Sequence, residues 1–466
     1  MNPTILKFGG TSVEDQAAFI RAATIIRDRK ELVPVVVVSA MSGVTDGLIR
    51  SIDHSKNQNV NAAIDGLAPH FDRHHRVAAE LRAENEQREF EVCVEAARTD
   101  IRNLLERIAT SPELCQELSD AVLAFGERLS SLLLAAVLRT QGNDAHALDP
   151  TQFIITDGQF GCAAPLLDHT FKKTRSTLSP LLEKCIIPVF GGFVGSTMSG
   201  KTTTLGRGGS DYTAALVGAA LVANEIQIWT DVSGVLTADP RVVPHAERVP
   251  RLSYAEAAEL AYFGAKVLHP KTIQPAVENS IPVRICNSRM PDEAGTLVTA
   301  EPETSPHMIK SIAHKTGITT IQITSARMLG AYGFLRALFE VFDRHRTAVD
   351  VVTTSEVSVS LSLDDVTSLP AIITELEALG SVRVEEERAI VCVVGEGLRG
   401  TPGIAAQVFG TISDINVTLI SQGASTINLT FAIEQGRVNE AVCRLHEAFF
   451  EQPVELSNEA LLFMSN

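Results

Sequence analysis

Aromatic residues are scarce in this chain. They make up 5 % of 466 residues, with a single tryptophan, Trp229. That leaves little with which to stack nucleobases or sugar rings. Positive charge is also scarce: 40 Lys and Arg stand against 56 Asp and Glu, a net charge of −16. Such a surface repels phosphate backbones and argues against general nucleic-acid binding, though it leaves room for a small basic pocket. The seven cysteines (Cys93, Cys115, Cys162, Cys185, Cys286, Cys392, Cys443) form no C-x-x-C, so neither a zinc site nor a disulfide framework is expected. The apolar run 34–38 is far too short to span a bilayer, and the first residues lack the basic and apolar regions of a signal peptide. A cytoplasmic protein with reduced thiols and neither membrane nor nucleic-acid partners is expected.

Apolar residues, at 45 %, are enough for the two or three cores that this length implies. Residues 4–8 (TILKF) read as a strand, 9–12 (GGTS) as a turn, and 14–29 as a helix with Phe19, Ile20, Ala23 and Ile26 on one side. The stretch 34–40, apolar except for Ser39, fits a parallel strand covered on both faces, so the start is a βαβ unit of an α/β fold. Residues 52–140 read as a helical insertion. Short strands return at 144–148, 152–156, 185–190, 225–230 and 281–286, with Ala-rich helices at 213–223 and 254–261. Pro and charge cluster at 299–310, where a domain boundary is expected. Beyond it, a pattern of strand, Gly, helix, strand, strand occurs twice. Gly333 and Gly403, 70 residues apart, mark equivalent points, so two duplicated small α+β modules are expected.

Several strings carry chemistry. In Lys7-Phe-Gly-Gly-Thr-Ser12, Gly9 and Gly10 let backbone amides approach an anion, a following helix would aim its N-terminus there, and Lys7 adds a charge. A plain βα turn with a solvated lysine would look the same. In Thr202 to Thr213 (TTTLGRGGSDYT), Arg207 can grip a carboxylate bidentately, and a helix starts near Ser210 with Ser210 or Asp211 as its cap. Residues 195–202 (GSTMSGKT) match a Walker A pattern, but a true P-loop opens into a helix, and TTTLGRGG does not. A polar hairpin with Lys201 in solvent is expected instead. Thr230, Asp231 and the loop carrying Asp239-Pro240-Arg241 follow a strand end, where such folds bind ligands. Lys266, in FGAKVLHP, is a second candidate phosphate cation. Glu127 lies within AVLAFGERLSSLLLAA and must be paired or buried at a cost; it could meet a substrate ammonium or form a salt bridge. His70, His74 and His75 with Asp72 include a metal-compatible pair, but they read as a solvated helix face.

Taken in this order, KFGGTS, FGE, GRGGSD, TDV-x-G…DPR and FGAKVLHP resemble the aspartate kinases over essentially the whole chain. The resemblance implies an amino-acid-kinase-type, mostly parallel sheet sandwiched by helices (1–300). Two ferredoxin-like α+β ACT modules (311–386 and 387–466) would follow it. It implies ATP and L-aspartate as substrates, Mg²⁺ as cofactor, and a 4-phospho-L-aspartate product, the first step toward lysine, threonine and methionine. It casts Lys7, Arg207 and Asp211 as catalytic, with Thr45, Glu127, Arg207 and Ser210 holding aspartate. Lys7, Gly9, Gly10, Thr230, Asp231, Arg241 and Lys266 would hold the nucleotide. Leu236 stands where relatives often carry an aromatic near the base.

The stretch 349–358 (VDVVTTSEVS) resembles lysine-sensitive, single-function members, which implies L-lysine as effector and a homodimer through the ACT modules, or a tetramer. Asp350 and Glu356 would answer the two ammonium groups of lysine. Amides near Met328, Gly330 and Gly333 would take its carboxylate, with Thr354 and Ser355 beside them. Ala331 and Ala348 depart from lysine-sensitive relatives, which often carry serine there. Two other readings stay open: a kinase of the same fold acting on glutamate, carbamate or a nucleotide, and a non-catalytic amino-acid sensor.

Overall fold

Apolar runs make the centre of the first sheet. Every residue of β1 (Thr4–Phe8) and β2 (Pro34–Val38) is buried, as expected for parallel strands covered on both faces. The computed structural model describes residues 2–81, 83–264, 270–301 and 308–451. These fall into two units: 2–235 with 250–254 and 270–301, and 236–249 with 255–264 and 308–451. Two stretches of the expected 1–300 domain therefore belong with the tail.

In the first unit β1 leads through α1 (Gln16–Arg27) to β2. The helical insertion follows as α2 (Val44–Lys56), α3 (Val60–Asp65), α4 (Ala68–Ala79), α5 (Glu84–Thr110) and α6 (Cys115–Thr140). Then come β3 (Ala145–Leu148), β4 (Ile155–Thr156), α7 (Leu167–Glu183), β5 (Ile187–Gly191), β6 (Val194–Thr197), β7 (Thr202–Thr204), α8 (Gly209–Leu221) and β8 (Glu225–Thr230). β9 (Arg251–Ser253) is followed by α9 (Tyr254–Tyr262), which from residue 255 on belongs to the second unit, and α10 (Gln274–Glu278), β10 (Val283–Asn287) and β11 (Thr296–Thr299) complete the order of the first. The main sheet runs β3-β5-β2-β1-β8-β10-β11-β9 and is parallel at every pairing except β10–β11.

Two local expectations change, at Ile20 and at His74. In α1 the buried face is Ala18, Phe19, Ala22, Ala23, Ile25 and Ile26, while Ile20 points outward at 46 % exposure. His74 is core rather than solvated: its Nδ1 lies 2.8 Å from the His70 carbonyl, and burial lowers its pKa to about 4. Residues 195–202 form the expected antiparallel hairpin of β6 and β7, with Lys201 exposed as expected and paired at the surface with Glu117 at 2.6 Å. α6 is long and apolar enough to cross a membrane, yet 72 % of its apolar window is buried inside the protein, which makes it a core helix.

The tail of the second unit has β12 (Ser311–Thr324), α11 (Phe334–Arg344), β13 (Val352–Thr354), β14 (Ser358–Leu363), α12 (Leu369–Leu376), β15 (Ser381–Val394), α13 (Ile404–Thr411), β16 (Val417–Gln422), β17 (Asn428–Glu434) and α14 (Val438–His446). The two modules share one sheet, ordered β13-β14-β12-β15-β17-β16. β12 and β15 are each 14 residues long and cross from one module to the other. Residues 311–315 pair with 390–394 in the second module's half, and 319–324 pair with β14 in the first. The division expected at 386/387 thus falls inside a strand, and the expected module of 311–386 lends its first residues to its neighbour. The register shifts between Lys315 and Thr320. Gly317 and Glu387 have φ of +74° and +54° at this crossing, the local bend that lets each strand change modules.

Candidate active site

β1 and β2 are parallel, with Phe8 opposite Val38, so their following loops leave the sheet at the same edge. That edge carries a cavity of about 600 Å³ within the first unit. Its wall comes from Lys7, the turn 39–43, one face of α6, and the Gly-rich stretch 204–211. A Cβ on Gly10 would stand 2.9 Å from the Ala40 carbonyl, so only glycine lets the two turns meet. The Gly9 amide is already committed to the Trp229 carbonyl at 3.0 Å. The helix expected to aim at this turn does not do so directly. A short 3₁₀ turn, Gly10–Val13, intervenes, and the N-terminus of α1 is capped by the Asp15 carboxylate, which accepts from the Ala18 amide at 2.8 Å.

On the opposite wall, α8 begins one residue earlier than expected, and its cap is Gly208 rather than Ser210 or Asp211. The position has φ +73°, and a Cβ there would meet Thr272 at 2.6 Å. No side chain caps this helix, so its first amides face the cavity without a protein acceptor of that kind. Ser210 and Asp211 lie in its first turn, and Asp211 Oδ1 holds Lys7 Nζ at 2.6 Å. Arg207 is exposed on the rim, and among the described residues it has no ion-pair partner.

Glu127 reaches the cavity from α6, where Gly191 crosses so closely that a Cβ would stand 2.6 Å from the Glu127 Cβ. It is 4 % exposed, and among the described residues its Oε2 has no hydrogen-bond partner. Burial pushes its pKa up to about 7, offset in part by the backbone at Ala40 and by the charge on Lys7. It is neither solvated nor salt-bridged to Arg128, whose guanidinium lies over the Phe125 ring. Seven positions earlier, Asp120 was not singled out from sequence. It is fully buried and accepts from the Gly161 amide, the Thr204 amide and the Thr204 hydroxyl at 2.8, 2.8 and 2.9 Å. This pins two loops of the cavity to α6. An acid in the apolar run DAVLAFGE, on the same helical face as Glu127, was the available signal.

Lys7, Gly10, Thr45, Glu127, Arg207, Ser210 and Asp211 all line this one cavity. Thr230 and Asp231 stand at the carboxyl end of β8, beside β1, with the Thr230 hydroxyl 3.1 Å from Asp231. Arg241 belongs to the second unit, where its guanidinium is clamped on Asp239 at 2.6 Å. Leu236, also in that unit, is half-buried, and its carbonyl accepts from Ser311. Lys266 lies outside the described residues. Of the tail residues, Gly333 caps α11 with φ +84°, Met328 ends a 3₁₀ turn, and Thr354, Ser355 and Glu356 are exposed. Asp350 is not the open carboxylate expected. Tyr262 donates a hydrogen bond to it, and Lys315 Nζ lies 3.7 Å away.

A lysine and Gly-rich turns face a buried, unpaired carboxylate across a parallel sheet edge, with no P-loop. This is the architecture of a small-molecule phosphotransferase. The chain belongs to the amino acid kinase family, whose model matches residues 2–287, and within it to the aspartokinases; an ACT domain model matches 391–449. It is 38 % identical over 464 residues to lysine-sensitive aspartokinase 3 of Escherichia coli, covering 96 % of this chain and 99 % of that one. The crystal structure of E. coli aspartokinase III with aspartate and ADP, in the R state, superposes with a TM-score of 0.81 at 37 % identity, covering 96 % of this chain and all of that one. The same enzyme with lysine and aspartate, in the T state, gives 0.82 at 36 % identity, covering 96 % and 99 %.

Proposed function

We propose that this chain transfers the γ-phosphoryl group of ATP to the side-chain carboxylate of L-aspartate, giving 4-phospho-L-aspartate. The observation that carries the reading is the convergence of Lys7, Glu127, Arg207 and Asp211 on one cavity. The E. coli structure that holds aspartate and ADP supports it. Arg207, on the rim and without an ion-pair partner among the described residues, takes the substrate α-carboxylate through a charge-assisted fork. Glu127 answers the α-ammonium, which supplies the missing partner of its buried Oε2. Thr45 and Ser210 flank the same substrate. With both ends of the amino acid held, the side-chain carboxylate is the part left free to react.

An aspartate side chain has a pKa of about 3.9, so it is ionised at neutral pH and needs no general base. One of its oxygens attacks the γ-phosphorus, the bond to the bridging oxygen breaks, and ADP leaves with the electron pair. The obstacle is repulsion between carboxylate and phosphates. Lys7, the Gly10 turn and the first amides of α8 offset it, and Asp211 fixes where the Lys7 ammonium points. Thr230 and Asp231 lie on the nucleotide side. Mg²⁺ fits this site as a cation carried in on the phosphates, because Asp120 and Asp211 are already engaged while Asp231 exposes its carboxylate at the strand end. When bound it neutralises phosphate charge. A coupled ATP-consumption assay with aspartate, glutamate and carbamate tests the reading; turnover with glutamate or carbamate in preference to aspartate would replace it with another amino-acid kinase, and no turnover with any would leave a sensor.

L-lysine is the proposed feedback effector, bound by the first ACT module, and the lysine-bound E. coli relative supports this. A homodimer through the ACT modules is supported by the exposed apolar residues Leu329, Tyr332, Leu335 and Phe339 in and beside α11. Seven unbridged cysteines support a cytoplasmic setting.

A further inference from the structure

His245, His446 and Glu451 come together in the second unit, and none of the three has a role above. His245 belongs to the stretch 236–249 and the other two to the end of the tail. One Glu451 oxygen lies 2.6 Å from His245 Nε2 and 2.9 Å from His446 Nδ1. All candidate ligand atoms fall within 4.8 Å of one another. We propose that these three side chains form a binding site for a divalent transition metal of the zinc type, with water as the fourth ligand.

Three features suit a built site. First, the donor set of two imidazoles and one carboxylate is one that Zn²⁺ takes in tetrahedral geometry and that Mg²⁺ or Ca²⁺ avoids. Second, His446 is oriented from behind. It is 1 % exposed, and its Nε2 lies 2.8 Å from the Thr237 hydroxyl oxygen, which also accepts from the Glu247 amide at 2.9 Å. With Nε2–H donating to Thr237, Nδ1 is left to Glu451 at 2.9 Å, and a metal that displaces the Nδ1 proton would find its lone pair aimed at the site, the outer-shell arrangement that metal-bound histidines use. Third, the backbone is bent to make the set. After α14, residues 447–451 turn as a π-helix, a rare geometry that recurs at functional sites. In an α-helix a residue five positions on points about 140° away. The wider π-turn brings Glu451 back beneath His446. The two imidazole rings stand edge to face, 5.4 Å between centroids, so each presents a nitrogen to the same small space. A metal here would staple the 236–249 stretch to the end of α14.

The test uses the full chain, stripped with a chelator and dialysed. Zn²⁺ is titrated by calorimetry and by competition with a chromogenic chelator, and thermal unfolding is followed with and without the metal. Co²⁺ is the spectroscopic probe. Expected are one Zn²⁺ per chain, a rise in Tm on binding, and a tetrahedral Co²⁺ spectrum. His245→Ala and Glu451→Gln alter exposed positions, so both should fold, and each should weaken Zn²⁺ binding at least ~10-fold and remove the Tm shift. His446→Ala, a core change, is not needed. Zn²⁺ binding no tighter than in the His245→Ala/Glu451→Gln double variant overturns the site. So does binding abolished by Cys443→Ser and untouched by His245→Ala.

Discussion

Lys7 Nζ and Asp211 Oδ1 stand 2.6 Å apart, joining the end of β1 to the first turn of α8. The pair is largely shielded, with side-chain exposures of 11 % and 17 %, and it fixes a cation on the wall where phosphates would lie. Lys7→Met is expected to lower kcat roughly 10²–10³-fold, the scale of one lost transition-state electrostatic contact. Adding Asp211→Asn to that variant should cost little more, because the two act as one unit. Steady-state kinetics on the folded single and double variants check this, and near-wild-type turnover in Lys7→Met would remove the lysine from the mechanism.

Arg207 acts on a different substrate. Its replacement by Ala should raise the aspartate KM by roughly 10–100-fold, as for a lost charged hydrogen-bond pair, and leave the ATP KM nearly unchanged. Equal weakening of both substrates would move it to the nucleotide side.

Glu127 ties substrate capture to pH. Its free-enzyme pKa is raised to about 7, so at lower pH the carboxyl is protonated and a poor partner for an ammonium. The kcat/KM for aspartate should therefore fall as pH drops through about 7 and level off above it. Stability runs the other way. The folded chain holds this proton longer than the unfolded chain, so the cost of ionising the buried carboxylate appears as pH rises from about 4.5 to about 7 and is complete above that. That cost is about 3 kcal/mol. Glu127→Gln should flatten the kcat/KM profile, raise the aspartate KM, and raise Tm above about pH 7 but not below about pH 4.5. A pH profile unchanged by the substitution would contradict this assignment.

Lysine should inhibit, whereas threonine and methionine should not, and Glu356→Ala should weaken that inhibition. The Lys315 ammonium lies beside Asp350, so it competes with an effector ammonium for the same carboxylate. Lys315→Ala is then expected to lower the half-inhibitory lysine concentration about 2–5-fold, the value of a modest ion pair. Threonine inhibiting alone, or lysine acting unchanged on Glu356→Ala, would sink the effector assignment and leave the kinase untouched.

By itself the sequence determined what depends on neighbours along the chain. An apolar run such as 34–38 can only be a strand buried on both faces. Two glycines after a strand-end lysine make a tight βα turn, and a Thr-rich run after GSTMSGK cannot open the helix of a P-loop. Seven candidate site residues could be named in advance because each sits in a short string whose backbone chemistry is local. The tertiary structure decided everything that depends on distant partners. Asp120 braces loops 41 and 84 residues away, an arrangement that only the packing of α6 reveals. Gly208 replaces Ser210 as a cap because Thr272 leaves no room for a Cβ. Asp350 is closed by Tyr262, 88 residues distant. The repeat showed two modules, but not that β12 and β15 cross between them, because a strand's partners are set by register across the sheet and not by its own pattern. Burial, which moves the Glu127 proton toward neutral pH, exists only once the helix, the sheet and the turn at Ala40 have closed around it.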